Sequence, residues 1–151
     1  SYVVFDERRY FRPGTGPNLL QLRNGQRLGL TICEDLWVDD TLQRERLKGP
    51  DPIEQLIPER PDVVINLAAS PFDADKPMLR QKLAATAARR LNCPVVYLNQ
   101  VGGNDELVFD GGSFVISATG DPLLELPSCC DQISLWDSEA NPANPKLLTP
   151  N

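Results

Sequence analysis

Cys33 stands where a nucleophile can be used. The run Arg27-Leu28-Gly29-Leu30-Thr31-Ile32 leads straight into it, and Glu34-Asp35-Leu36-Trp37 follows. A strand that ends on a thiol beside two carboxylates can present the sulfur at a sheet edge to an electrophilic carbon. The chain has no histidine, so a Cys-His pair is excluded within it and the thiol's proton must pass to a carboxylate or a lysine. Read blandly, the same residue is a small buried hydrophobe at a strand end, a common place for an unbridged cysteine.

The other cysteines point to no metal or disulfide chemistry. Cys129 and Cys130 are adjacent, a poor geometry for an ordinary disulfide framework or a tetrahedral zinc site. All four cysteines are read as reduced thiols, with Cys93 a core residue and no metal site. At 151 residues with 41% hydrophobic and 24% charged content, the chain suits one globular domain. A net charge of −6 argues against a nucleic-acid groove or an anionic membrane surface. Arg8, Arg9 and Arg12 form the densest basic patch, and Glu7 interrupts it. No apolar run approaches a membrane span and no signal-like start is present, so a cytoplasmic protein is expected.

Positioning Cys33 falls to a short series of elements. Leu19-Leu20-Gln21-Leu22 and Gln26 to Ile32 flank Asn24-Gly25, which predicts a hairpin. Asp51-Pro52 reads as a cap and first helical residue, with Ile53, Leu56 and Ile57 as the apolar face before Pro58. Val63 to Ala68 predicts a buried strand. Pro77 opens a longer helix in which Leu79, Leu83, Ala84, Ala87, Ala88 and Leu91 recur at helical spacing, with Arg80, Lys82, Arg89 and Arg90 filling much of the remainder. Pro94 to Leu98 is a further strand, followed by a Gly-rich loop and a hairpin of Ser113 to Ser117 with Leu123 to Leu126. Gly102-Gly103-Asn104-Asp105 reads as an ordinary turn rather than a phosphate cradle, because no helix start follows it.

Strands joined by helices imply right-handed crossovers and parallel pairing. The strands at 27–32, 63–68 and 94–98 should therefore lie side by side, with Cys33, Ala69-Ser70-Pro71 and Asn99-Gln100 together beyond their carboxyl ends. Ligands of open α/β sheets bind at that edge. A thiolate with hydroxyl, amide and backbone donors nearby can attack a carboxamide and stabilise the tetrahedral oxyanion, which makes a small amide the natural substrate.

Four segments, in order, carry a resemblance. They are Val4-Phe5-Asp6-Glu7-Arg8-Arg9-Tyr10-Phe11, Ile32-Cys33-Glu34-Asp35-Leu36-Trp37, Asn66-Leu67-Ala68-Ala69-Ser70-Pro71-Phe72, and Asn99-Gln100-Val101-Gly102-Gly103-Asn104-Asp105 continuing to Gly111. From Tyr2 to about Leu126 the chain resembles the glutamine-hydrolysing, nitrilase-type carbon–nitrogen hydrolase domain of glutamine-dependent NAD synthetases. The resemblance implies an α/β fold, a four-layer αββα sandwich of which this is the carboxyl-terminal part, and a Glu-Lys-Cys triad acting through a glutamyl thioester. Cys33 matches the nucleophile and Glu7 a supporting acid, and the backbone N–H of Glu34 serves the oxyanion hole. Tyr2, Ser70 and Arg80 match substrate-holding positions, Arg80 suiting the α-carboxylate by bidentate pairing. Residues 1–138 form the partial domain, and 139–151, rich in proline, a tail or linker.

By the same resemblance the general-base Glu and the Lys lie upstream of Tyr2, and Lys76 and Lys82 come too late to be that lysine. The chain is therefore expected to be a fragment with little activity alone. Glutamine is the implied substrate and a synthetase domain the implied recipient of ammonia. ATP and Mg belong to that other domain, no cofactor serves the amide step, and homo-oligomers are expected. A truncated module serving as an assembly surface without turnover, and an amidase for another small amide, are the alternatives.

Overall fold

The structure is a computed structural model that describes residues 11, 12, 14–37 and 50–139. Strand β1 (Asn18–Gln21) pairs antiparallel with β2 (Arg27–Ile32) around the Asn24-Gly25 turn, where Gly25 takes φ 92°. Helix α1 (Pro52–Leu56) starts as its sequence directs: the Asp51 carboxylate accepts from the N–H groups of Ile53 and Glu54 at 2.8 and 3.1 Å. The chain then enters β3 (Val63–Ala68), helix α2 (Lys76–Leu91) and β4 (Val95–Asn99). Asn92 ends α2 in the left-handed conformation at φ 52°.

The three strands expected to run parallel do so. Leu30 is level with Ile65, Ile65 with Val96, and Ile32 with Leu67. Strands β7 (Phe114–Ile116) and β8 (Pro122–Glu125) extend the sheet antiparallel to the order β1-β2-β3-β4-β7-β8. Tyr97 of β4 stacks on its cross-strand neighbour Phe114, with ring centroids 4.9 Å apart.

Two expectations are corrected. The Gly-rich stretch after β4 is a second small sheet, a hairpin of β5 (Val101–Asn104) and β6 (Leu107–Asp110). Its glycines concealed the first arm, and the apolar run Leu107-Val108-Phe109 was the available signal for the second. In α2, Arg80 lies not among the surface charges but on the buried face with Ala84, Ala87, Ala88 and Leu91, which follow it at helical spacing.

Both helices cover one face of the six-stranded sheet, enclosing Leu56, Val64, Ala84, Ala88, Val95 and Tyr97 among the core residues. The opposite face carries Ile32, Leu67 and Leu98 at 62%, 51% and 42% exposure. The described residues thus form one sheet with helices on one face, an α/β arrangement that leaves an apolar face open. No helix among them is long and apolar enough to cross a membrane.

Gly29 sets how closely α1 approaches the sheet. A Cβ there would meet Val64 Cγ2 at 2.9 Å and Leu56 Cδ2 and Pro61 Cβ at 3.4 Å. Gly29→Ala is expected to lower the unfolding free energy by about 1–3 kcal/mol through overpacking. Urea unfolding followed by circular dichroism measures this, and an unchanged midpoint would show that the layer spacing is set elsewhere.

Candidate active site

Strand β2 stays extended through Ile32, at φ −123° and ψ 123°. Cys33 then turns to φ 46° and begins a 3-10 turn, Cys33–Leu36. A non-glycine residue in the left-handed region costs on the order of 1–2 kcal/mol and needs surroundings that hold it there. Those surroundings are visible. The Asp35 carboxylate accepts from Ile32 N–H at 2.9 Å, and buried Leu36 anchors the far end of the turn in the core. The Asn66 side chain donates to Cys33 O at 3.3 Å and to Thr31 Oγ1 at 3.0 Å. Cys33 is partly exposed and in no disulfide.

The neighbouring strand ends converge on a buried polar network. Ser70, just past β3, donates its N–H to Asn99 Oδ1 at 2.9 Å. Asn99 Nδ2 in turn reaches Gly111 O at 3.0 Å and Asp110 Oδ1 at 3.4 Å. Arg80 lies at the centre, 3% exposed. Its Nη1 donates to Asp110 Oδ1 and Oδ2 at 2.8 and 3.0 Å, its Nη2 to Ser70 O and Pro71 O at 3.0 and 3.3 Å, and its Nε to Ser70 Oγ at 3.3 Å. The substrate-binding role expected for Arg80 is therefore corrected: the carboxylate its fork grips is Asp110, and no donor is left to face a ligand. Ser70 is likewise buried, its hydroxyl held by Arg80.

Lys76, set aside in the sequence as too late to be a triad lysine, is the cation beside the thiol. It lies one turn before Arg80 and donates from Nζ to Pro71 O at 3.0 Å. Burial and then Arg80 push its pKa below the ordinary lysine value, while Asp73, Cys33 and Glu34 pull the other way. The Tyr97 phenol is pushed up to about 12, chiefly by burial; Arg80 and a hydrogen bond with Ser70 oppose the shift, and Cys33 and Asp110 add to it. Tyr97 thus remains a neutral donor through neutral pH.

Of the residues singled out in the sequence, Cys33, Glu34, Ser70 and Arg80 gather at the carboxyl edge of the parallel strands, whereas Tyr2 and Glu7 lie outside the described residues. Asn99 stands at the carboxyl end of its strand as expected, whereas Lys76, Asn66 and Asp110 were missed. Of these, only Lys76 left a trace, its four-residue spacing from Arg80 on one helix face. Among the described residues no cluster of His, Cys, Asp and Glu could hold a metal ion. An open cleft of about 480 Å³, lined by residues such as Gln26, Asp62 and Pro94, lies at the opposite ends of the strands, away from the thiol.

The carbon–nitrogen hydrolase profile matches residues 3–135. The chain belongs to the carbon–nitrogen hydrolase family. It is 42% identical over 120 residues to the glutamine-dependent NAD(+) synthetase of Synechocystis, covering 80% of this chain and 21% of that protein. Against the synthetase of Thermotoga maritima it is 42% identical over 123 residues, covering 80% and 19%. The chain therefore spans about a fifth of the length of these relatives. The solved glutamine-dependent NAD+ synthetase of Acinetobacter baumannii in complex with ADP superposes with a TM-score of 0.72 at 37% identity, over 87% of this chain and 23% of that one. An amidase of Nesterenkonia sp. AN1, with the acetamide moiety of fluoroacetamide added covalently at its active-site cysteine, superposes at 0.61 with 28% identity, over 80% and 41%.

Two measurements probe this hydrolase site. Breaking the buried pair with Arg80→Met or Asp110→Leu alone is expected to cost about 3–5 kcal/mol, because a buried charge is left uncompensated, and the double substitution to cost clearly less than the sum. Additive losses in denaturant unfolding would mean that the two charges are not coupled. Competitive acetylation should show Lys76 losing its proton at a lower pH than an ordinary lysine; a titration at or above the usual lysine range contradicts the burial assigned to it.

Proposed function

We propose that Cys33 is the nucleophile of a glutamine amide hydrolysis. The thiolate sulfur bonds to the side-chain carbonyl carbon, the tetrahedral oxyanion collapses, and the C–N bond breaks as the nitrogen takes up a proton and leaves as ammonia. Water then cleaves the glutamyl thioester, giving glutamate and restoring the thiol. What carries this reading is the sulfur's placement: a cysteine at φ 46° at the carboxyl end of a parallel strand, electrostatically coupled to Lys76, in a chain without histidine.

The general-base Glu and the triad Lys are the groups that the family places ahead of the segment matched by Tyr2, and Glu7 supports them. Lys76, rather than Arg80, is the cation open to the α-carboxylate of glutamine. The ammonia serves a synthetase domain that uses ATP and Mg, and the amide step itself needs no cofactor. A second reading, hydrolysis of another small amide, is favoured by the structural likeness to the Nesterenkonia amidase.

The chain joined to the segment that precedes the aligned region in the Synechocystis relative provides the test. A diazo-ketone analogue of norleucine is expected to label Cys33 and no other cysteine, with glutamine protecting. Cys33→Ala should lower glutaminase turnover by about 10⁶-fold, as removal of a nucleophile does in comparable triads. Unchanged turnover in that variant defeats the reading, and protection by acetamide but not glutamine moves it to the second substrate class.

A further inference from the structure

Asn66 occupies a position that calls for an apolar residue. It lies in the middle of β3, level with Thr31 and Tyr97, is fully buried, and has core residue Val64 as its neighbour on the same face. An amide placed there must find partners or lose stability. Nδ2 uses both of its hydrogens, one to Thr31 Oγ1 at 3.0 Å and one to Cys33 O at 3.3 Å. Oδ1 has no partner among the described residues. The opposite amide orientation would set Oδ1 against the Cys33 carbonyl oxygen, a repulsion, so the bond to that carbonyl fixes the side chain and leaves the orphaned acceptor as its cost, of order 1–3 kcal/mol. Such a local conflict is characteristic of a residue that serves a site rather than the core.

The carbonyl that Asn66 holds belongs to the peptide unit between Cys33 and Glu34. That unit is planar and trans, so its C=O and the Glu34 N–H point in opposite directions. Pinning the oxygen into the sheet therefore turns the N–H away from it, on the side of the turn that faces out beyond the strand ends. Cys33 takes its positive φ of 46° at the residue that carries this carbonyl.

We propose that Asn66 is a positioning residue that aims the Glu34 N–H at the oxyanion by holding the other end of the same peptide. The proposal rests on the reading of Cys33 as an acyl-forming nucleophile. Asn66 touches no reacting atom; it acts through the peptide, so its loss should slow the step that builds negative charge on oxygen and spare reactions of the sulfur that do not.

Two rates at Cys33 separate these effects in the 151-residue chain and its Asn66→Ala and Asn66→Asp variants, each read by mass mapping of the Cys33 peptide. Alkylation by iodoacetamide displaces iodide at a saturated carbon and forms no oxyanion. Acylation by p-nitrophenyl acetate forms the S–C bond through a tetrahedral oxyanion and expels p-nitrophenolate, the thiol proton going to solvent. Their ratio cancels changes in thiolate fraction and access. It is expected to fall about tenfold or more in each variant, less than complete removal of an oxyanion donor would cause.

Asn66→Asp keeps the size of the side chain, so it preserves the test if Asn66→Ala does not fold, and circular dichroism reports which variants do. Equal losses in both rates, or a ratio unchanged in a folded variant, overturn the proposal. Failure of the underlying reading looks different: the unsubstituted chain would then show no higher acylation-to-alkylation ratio at Cys33 than at exposed Cys129 and Cys130, and the proposal would fall with it.

Discussion

A guanidinium sealed under the edge of a sheet has to be paired at every donor, and Arg80 meets that demand with five contacts to Ser70, Pro71 and Asp110. Together the contacts tie two separate pieces of chain to α2. Ser70 and Pro71 belong to the segment that leaves β3, and Asp110 ends the β5–β6 hairpin. Asn99, at the end of β4, closes the circuit by bonding to Ser70, Asp110 and Gly111. The loops around the thiol are therefore held by one buried charge rather than by packing alone. Replacing Arg80 and Asp110 together by apolar side chains need not weaken the fold, but it would release the loops that the pair holds.

The same network bears on the surroundings of the thiol, in a chain without histidine. With Arg80 committed to Asp110, Lys76 is, among the described residues, a cation coupled to the thiol, held on the Pro71 carbonyl that Arg80 also uses. Cys33 and Glu34 favour the charged form of this lysine, whereas burial disfavours it. Arg80 opposes it from the other side, so Lys76 is kept as a cation less firmly attached to its proton than a surface lysine. Tyr97, forced to stay neutral by burial, adds a donor rather than a competing anion to this surrounding.

The fold was more legible in the sequence than the site. Asn24-Gly25, Asp51-Pro52 and Asn92 act on their immediate neighbours, so the hairpin, the α1 cap and the end of α2 could be read locally, and the alternation of helices and strands then dictated parallel pairing. Cys33 was legible for the same reason, as the residue at which a strong strand pattern stops. Arg80 was not, because its partner Asp110 lies thirty positions away on another element and a lone arginine in a helix with several basic residues reads as surface. Asn66 was hidden by its context too: an asparagine inside an apolar strand has no sequence signal for what its amide will meet across the sheet. The β5–β6 hairpin was obscured by Gly102 and Gly103, residues that weaken any strand pattern.

The pleat of the central strands separates two requirements that would otherwise compete. Thr31, Asn66 and Tyr97 stand level across β2, β3 and β4 and face the helices, where their polar atoms support the Cys33 turn. One residue further along, Ile32, Leu67 and Leu98 stand level on the other face, exposed apolar groups available for a further layer to pack on. Because successive side chains alternate between faces, sheet-on-sheet packing can tighten on the second row without displacing the polar row. A one-residue slip of β3 would exchange the two, burying Leu67 against the helices and turning Asn66 away from Cys33. Register is thus the quantity that both the apolar face and the alignment of the Cys33 turn depend on. The asparagine that holds the Cys33–Glu34 peptide works only in the register that the apolar face independently demands.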